Sequence, residues 1–222
     1  MTFTEALRHT HHDLWQRMIT HPFVLELGEG TLPVDTFRAY FLQDYVFVRD
    51  LVTLTALGIA KAPSMAAAGT LNQFLSGILQ PENDLFVRAF TALGVSEAEY
   101  TAASAAPLTQ AFGDFLVRTG AEGNFTDIVT LLYVTEGTYL DWGTQLIAAG
   151  KQPDNPLYQE WITIHGPQVL GALVAWLGRY LDASAWGPQH PRLERLFHTT
   201  LRYEYLFWDM AYHGRLRWPD QL

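Results

Sequence analysis

Cysteine is absent from the 222 residues, which removes disulfides, zinc–thiolate centres and thiol nucleophiles from consideration. Charge is scarce as well. Only 17% of the chain is Asp, Glu, Lys or Arg, and the basic sign is the scarcer: 14 Lys and Arg stand against 23 Asp and Glu, a formal net charge of -9. Such a chain repels a phosphate backbone instead of displacing its counterions, so no nucleic-acid partner is expected. No apolar run precedes Glu5, unlike a secretory signal, and a cytoplasmic location is expected. Two stretches free of charge, 62–81 and 162–178, are long enough to be weighed as membrane spans. The first holds Ser64, Thr70, Asn72, Gln73 and Ser76, and the second His165 and Gly166-Pro167. Both therefore read as buried core helices, and no membrane association is expected.

What is present is hydrophobic: 49% of residues, enough for a substantial core and too much for disorder. Apolar spacing follows the helical period and not the alternation of a strand. Thr2 with Glu5 and Ser96 with Glu99 fit the capping box, while Asn155-Pro156 and His190-Pro191 place proline in a first helical turn. The pattern predicts helices over 3–19, 34–60, 64–79, 82–93, 97–104, 107–119, 125–149, 156–181 and 190–213, with a tail at 214–222. Breaks between them are short and no repeat is present, so 1–222 is expected to form one all-α bundle.

Three acids fall on stripes that ought to be apolar. Asp44 lies among Phe37, Phe41, Val48, Leu51 and Thr55. Glu136 interrupts Phe125, Val129, Leu132, Leu140 and Gly143, and Glu204 interrupts Leu193, Phe197, Thr200, Phe207 and Ala211. One such acid is most often paired or capping a helix. Three, with no Lys or Arg on the same stripes, point to a shared acidic pocket. Aromatic residues, 14% of the chain, cluster beside them: Tyr45 and Phe47 at Asp44, Tyr133 and Tyr139 at Glu136, and Tyr203, Tyr205, Phe207 and Trp208 at Glu204. Most aromatics serve the core. A box of rings with convergent carboxylates would nevertheless suit a flat, nitrogen-rich heterocycle.

His21-Pro22-Phe23, Gly30-Thr31-Leu32 and Phe37-Arg38-Ala39-Tyr40-Phe41-Leu42-Gln43-Asp44-Tyr45 resemble the N-terminal signature of the TenA/thiaminase II family. Tyr158-Gln159-Glu160-Trp161-Ile162 and Tyr203-Glu204-Tyr205-Leu206-Phe207-Trp208-Asp209 continue the match in order. The resemblance implies a haem-oxygenase-like helical bundle, a homodimer or homotetramer, and chemistry in thiamin salvage in which an aminopyrimidine loses its exocyclic amine. It equates Asp44 with the acid that grips the aminopyrimidine and Glu204 with the catalytic glutamate. The better-known branch has a cysteine four residues before the Tyr139 position; here that residue is Thr135. Two of that branch's pocket tyrosines fall at Phe112 and His165. Leu132-Tyr133-Val134-Thr135-Glu136 instead resembles the cysteine-free, glutamate-type branch, where the carboxylate at Glu136 takes over part of the catalysis. The substrate-contacting positions so implied are Asp44, Tyr45, Phe47, Phe112, Thr135, Tyr139, His165, Phe207 and Trp208.

The expected substrate is an aminomethyl- or N-formylaminomethyl-pyrimidine, hydrolysed without metal or organic cofactor. Glu204, desolvated by Phe207 and Trp208, is expected to have a raised pKa and to act as general acid, with Glu136 as base or nucleophile and Asp44 ionised against the ring. Thr135 is given no proton or bond. Two other classes compete. A metal-dependent oxidase would draw on His9, His11, His12, Glu194/His198 and Asp209/His213, but those pairs, with Arg202 and Tyr205, lie on another face from Glu204 and read as solvated. A non-catalytic pyrimidine-binding or regulatory protein stays open, although a pI near 5.2 and the lack of a basic stripe or helix-turn-helix pattern disfavour DNA contact.

Overall fold

Capping chemistry sets where the chain turns into helix. The computed structural model describes residues 1–185 and 187–218, and every regular element among them is helical. In order these are α1 (Phe3–Thr10), α2 (His12–Ile19), α3 (Pro22–Glu29), α4 (Val34–Lys61), α5 (Met65–Gly77), α6 (Asn83–Ala92), α7 (Glu97–Ala102), α8 (Pro107–Glu122), α9 (Phe125–Ala148), α10 (Pro156–Ile164), α11 (Gly171–Ser184) and α12 (His190–Tyr212). A π-helical segment, Ile78–Glu82, joins α5 to α6, and a 3₁₀ turn, Gly187–Gln189, precedes α12. Both anticipated capping boxes form: Thr2 N donates to Glu5 Oε2 at 2.8 Å and Ser96 N to Glu99 Oε2 at 2.9 Å. No helix among the described residues is long and apolar enough to cross a membrane.

Three expectations of element extent are corrected. The helix expected over 3–19 divides at His11 (φ -107°, ψ 21°), whose ring stacks 4.4 Å from His198. Thr10-His11-His12 has weak helix propensity, so a tertiary contact readily draws one residue out of register. Helix α3 was not anticipated. Its cap is His21, whose Nδ1 accepts from Phe23 N at 3.1 Å ahead of Pro22 at N1, and Gly30 (φ 72°) closes it. Histidine lies outside the usual set of capping residues. The single helix expected over 156–181 is α10 and α11, parted at Gly166-Pro167, because the proline cannot donate to the continuing ladder. Pro81 has the related effect of widening the turn at Ile78–Glu82.

The chain forms two compact units. The first comprises Met1–Leu32 and Val129–Trp208. In it Thr4 N and Oγ1 donate to Asp182 Oδ1 at 2.8 and 2.9 Å, tying α1 to α11. Asp141 on α9 accepts from Trp15 Nε1 at 2.9 Å and pairs with Arg8, whose guanidinium lies 3.7 Å over the Trp15 ring. The Tyr158 hydroxyl on α10 donates to the Leu32 carbonyl at 2.8 Å.

The second unit comprises Pro33–Ile128 and the described residues from Asp209 onward. Here α4 packs on α8, α5 and α6. Gly113 leaves room for the Asp50 carboxylate, and the Lys61 ammonium donates to the carbonyls of Gly120, Ala121 and Gly123 at 2.7, 2.8 and 2.7 Å, closing the end of α8. Of the expected tail at 214–222, Arg215 N donates to Met210 O and Trp218 Nε1 to Ala105 O, while 219–222 lie outside the described residues.

Candidate active site

Two helices of the first unit carry acids inside apolar faces. Glu136 on α9 and Glu204 on α12 are 8% and 4% exposed. Tyr139 follows Glu136 by three residues and Trp208 follows Glu204 by four, so each acid shares a helix face with an aromatic ring. Those rings stack at 5.5 Å with 26° between planes. The carboxylate-bearing faces of α9 and α12 therefore meet.

The aromatic cluster extends outward from that contact. Trp208 also stacks on Phe23 at 4.5 Å and stands edge-on to Trp142 at 6.2 Å. His165, in the turn after α10, lies 4.8 Å from Tyr139, 5.2 Å from Trp142 and 4.4 Å from Trp161. Its Nδ1 donates to the Trp161 carbonyl at 2.7 Å, which leaves the lone pair on Nε2. Burial lowers its pKa to about 4, against the upward pull of that carbonyl, so the ring is neutral at physiological pH. His165 thus joins the neighbourhood of Tyr139 as an acceptor, where a tyrosine would also donate. Phe207 is buried beside Trp208.

Glycine makes this assembly possible at one point. A Cβ added at Gly143 on α9 would stand 2.5 Å from the His165 carbonyl oxygen, an atom of the backbone that cannot swing aside. Gly143→Ala is accordingly expected to destabilise the protein by about 1–3 kcal/mol, read as a lower denaturation midpoint at unchanged m-value. An unaltered midpoint would contradict the close approach.

Thr135, given no proton or bond in the expected chemistry, engages its neighbour: its hydroxyl donates to Glu136 Oε1 at 3.1 Å, with the Leu132 carbonyl at 3.3 Å as the alternative acceptor. A threonine inside a helix turns its Oγ1 back toward the preceding turn, and the adjacent glutamate side chain folds over the same spot.

In the second unit, Asp44 is 5% exposed on α4. Its neighbour Gln43 is held firmly: Oε1 accepts from Ala106 N at 2.8 Å and Thr109 Oγ1 at 2.7 Å, and Nε2 donates to Ser104 O at 3.2 Å. Phe47 and Phe112 pack at 4.7 Å between α4 and α8. Tyr45 faces elsewhere, meeting Phe86, Phe90 and Tyr100 at 5.4, 5.4 and 5.5 Å. It lines a half-open groove of about 210 Å³ with Val48, Arg49, Val52, Ile78, Leu79, Asn83 and Phe86. Next to Asn83 is Glu82, whose carboxyl burial raises to about 7.

Other residues named from the sequence have partners of their own. Tyr133 meets Gly178 and Phe197, and Tyr205 is engaged by His21 and Arg17. The Glu194/His198 pair, read as solvated, is joined by His11: its Nε2 lies 3.6 Å from Glu194 and its ring on His198. Asp209 pairs with Arg215 as well as His213. No group of three His, Asp or Glu among the described residues is placed to hold a metal. Sequence reasoning missed Phe23, Trp142 and Trp161 as members of the aromatic cluster. Trp161 stood within a recognised segment, but only the turn that breaks α10 from α11 folds His165 back onto it.

The TENA/THI-4/PQQC family model matches residues 8–214. An aminopyrimidine aminohydrolase of Halalkalibacterium halodurans is 31% identical over 219 residues, covering 97% of this chain and 98% of that protein. The structure of a TenA homologue from P. horikoshii OT3 is similar with a TM-score of 0.88 at 26% identity, covering 96% of this chain and all of that one. A Shewanella denitrificans domain with a heme oxygenase-like fold matches with a TM-score of 0.73 at 13% identity, over 95% of this chain and 92% of its own, a likeness of fold alone.

Proposed function

The chain belongs to the TENA/THI-4/PQQC family, and from that premise we propose that it is a C–N hydrolase of thiamin salvage acting on an aminomethyl- or N-formylaminomethyl-pyrimidine. The name of the H. halodurans relative supports the reaction class. The observation that carries the carboxylate-based version is the meeting of the Glu136 and Glu204 faces through Tyr139 and Trp208 in a chain without cysteine.

In this reading Glu136 takes a proton from water, the oxygen bonds to the aminomethyl carbon, the C–N bond breaks, and Glu204 delivers a proton to the departing amine. The net reaction is pyrimidine-CH₂NH₂ plus water to pyrimidine-CH₂OH plus ammonia. With an N-formyl substrate the water attacks the amide carbon and formate leaves. Asp44 binds the amidine-like edge of the ring, and Phe47, Phe112, Tyr139, Phe207 and Trp208 supply stacking surface. His165 completes the set; Tyr45, packed on Phe86, Phe90 and Tyr100, and Thr135, bonded to Glu136, are not assigned a substrate contact. The protein works as a homodimer or homotetramer in the cytoplasm, so a sedimentation mass at the monomer value of 25.1 kDa at micromolar concentration would contradict the assembly.

The test follows ammonia and formate from both pyrimidines in the presence of chelator. Release by wild type, lost in the Glu136→Gln, Glu204→Gln double variant, is expected. Failure of wild type to release either product, or undiminished release by the double variant, would overturn the reading in favour of a non-catalytic pyrimidine binder. Asp44→Asn separates binding from chemistry: KM is expected to rise by about tenfold or more while kcat changes less, because a charge-assisted bond to the ring is weakened. A fall in kcat at constant KM would reassign Asp44 to the chemical step.

A further inference from the structure

We propose that Thr135 is a positioning residue whose hydroxyl holds the Glu136 carboxylate in its working orientation. The proposal rests on the carboxylate-based reading above and adds a role that reading does not contain. Three observations carry it. The donor and acceptor, Thr135 Oγ1 and Glu136 Oε1, are 3.1 Å apart. Both residues are buried, at 3% and 8% exposure, so the bond is sheltered from exchange with water and strengthened by the low local dielectric. Finally, the hydroxyl has one proton and two acceptors in reach, and the carboxylate is both nearer than the Leu132 carbonyl and able to carry the charge that makes such bonds strong.

A glutamate on a helix has three rotatable side-chain bonds, whereas a threonine on the same helix is confined to very few rotamers. A bond between them transfers the rigidity of the short side chain to the long one. A base held less firmly spends a smaller fraction of its time aligned with the water it must deprotonate, and loss of alignment lowers the rate with little effect on substrate affinity. Position 135 therefore retains a small polar side chain whose task is orientation, with the chemistry one residue further along.

Thr135→Val keeps the shape and removes the donor; Thr135→Ser keeps the donor. For Thr135→Val, kcat is expected to fall about tenfold, the value of one sheltered hydrogen bond, with KM within about twofold of wild type. Thr135→Ser should recover to within about threefold. A second readout is independent of turnover: with glutamate ¹³C-labelled at the δ-carboxyl, the Glu136 resonance, identified by its loss in Glu136→Gln, should move in Thr135→Val and return in Thr135→Ser. A Thr135→Val enzyme with unchanged kcat and an unmoved resonance overturns the proposal. So does a rise in KM alone, which would make Thr135 a substrate contact. If wild type shows no turnover, the hydrolase reading fails, while the resonance shift still decides whether Thr135 holds Glu136.

Discussion

Glu204→Gln is expected to lower turnover by roughly 10²- to 10⁴-fold, the range for loss of general acid catalysis, while substrate binding is largely kept. Glutamine has the same heavy-atom shape, so the buried site on α12 need not repack, and Trp208 one turn away stays on Tyr139. What disappears is the proton for the departing amine. A substrate whose leaving group departs without protonation should therefore be cleaved by wild type and variant at similar rates. Steady-state kinetics on a leaving-group series supplies the check. A uniform loss across the series would show that Glu204 orients substrate and transfers no proton.

The second large effect is on stability. His165 is 7% exposed, and its pKa falls from 6.5 to about 4 in the folded chain. Between those values the unfolded chain binds a proton that the folded chain refuses, so stability is complete above pH 6.5 and drains away as pH falls toward 4. The difference amounts to about 3 kcal/mol. His165→Phe removes the titration. Whatever its cost at pH 7, that cost should shrink by about 3 kcal/mol at pH 4, as measured by denaturant unfolding at both pH values. A cost independent of pH would show that the imidazole protonates freely in the native state.

Glu82 works in the opposite sense. Burial raises its carboxyl from 4.5 to about 7, so its contribution is fully present below pH 4.5 and is lost as pH rises through 7. The contrast between wild type and Glu82→Gln should accordingly favour wild type least at alkaline pH.

Helices with strong local signals were legible from composition and spacing. The Thr2/Glu5 and Ser96/Glu99 boxes and the Asn155-Pro156 start all lie where the pattern places them. The divisions were not, since each depends on distant partners: His11 leaves the helix where it stacks on His198, and Gly166-Pro167 becomes a turn that seats His165 under Tyr139 and Trp142. The burial of Asp44, Glu136 and Glu204 could be read from broken stripes alone. The bond between Thr135 and Glu136 could not, because helical spacing predicts contacts three and four residues apart, and neighbours one apart normally diverge.

The seat of His165 also has an optical consequence. Trp161 and Trp142 hold their indoles 4.4 and 5.2 Å from its imidazole, and the Trp142 N–H is buried with no hydrogen-bond partner among the described residues. An indole without a polar partner emits toward the blue, and a cation forming beside it withdraws electrons from its excited state. Acidification should therefore dim the blue edge of the intrinsic fluorescence while the helical circular dichroism is still intact, so that the protein signals the charging of one histidine in light emitted by its neighbours.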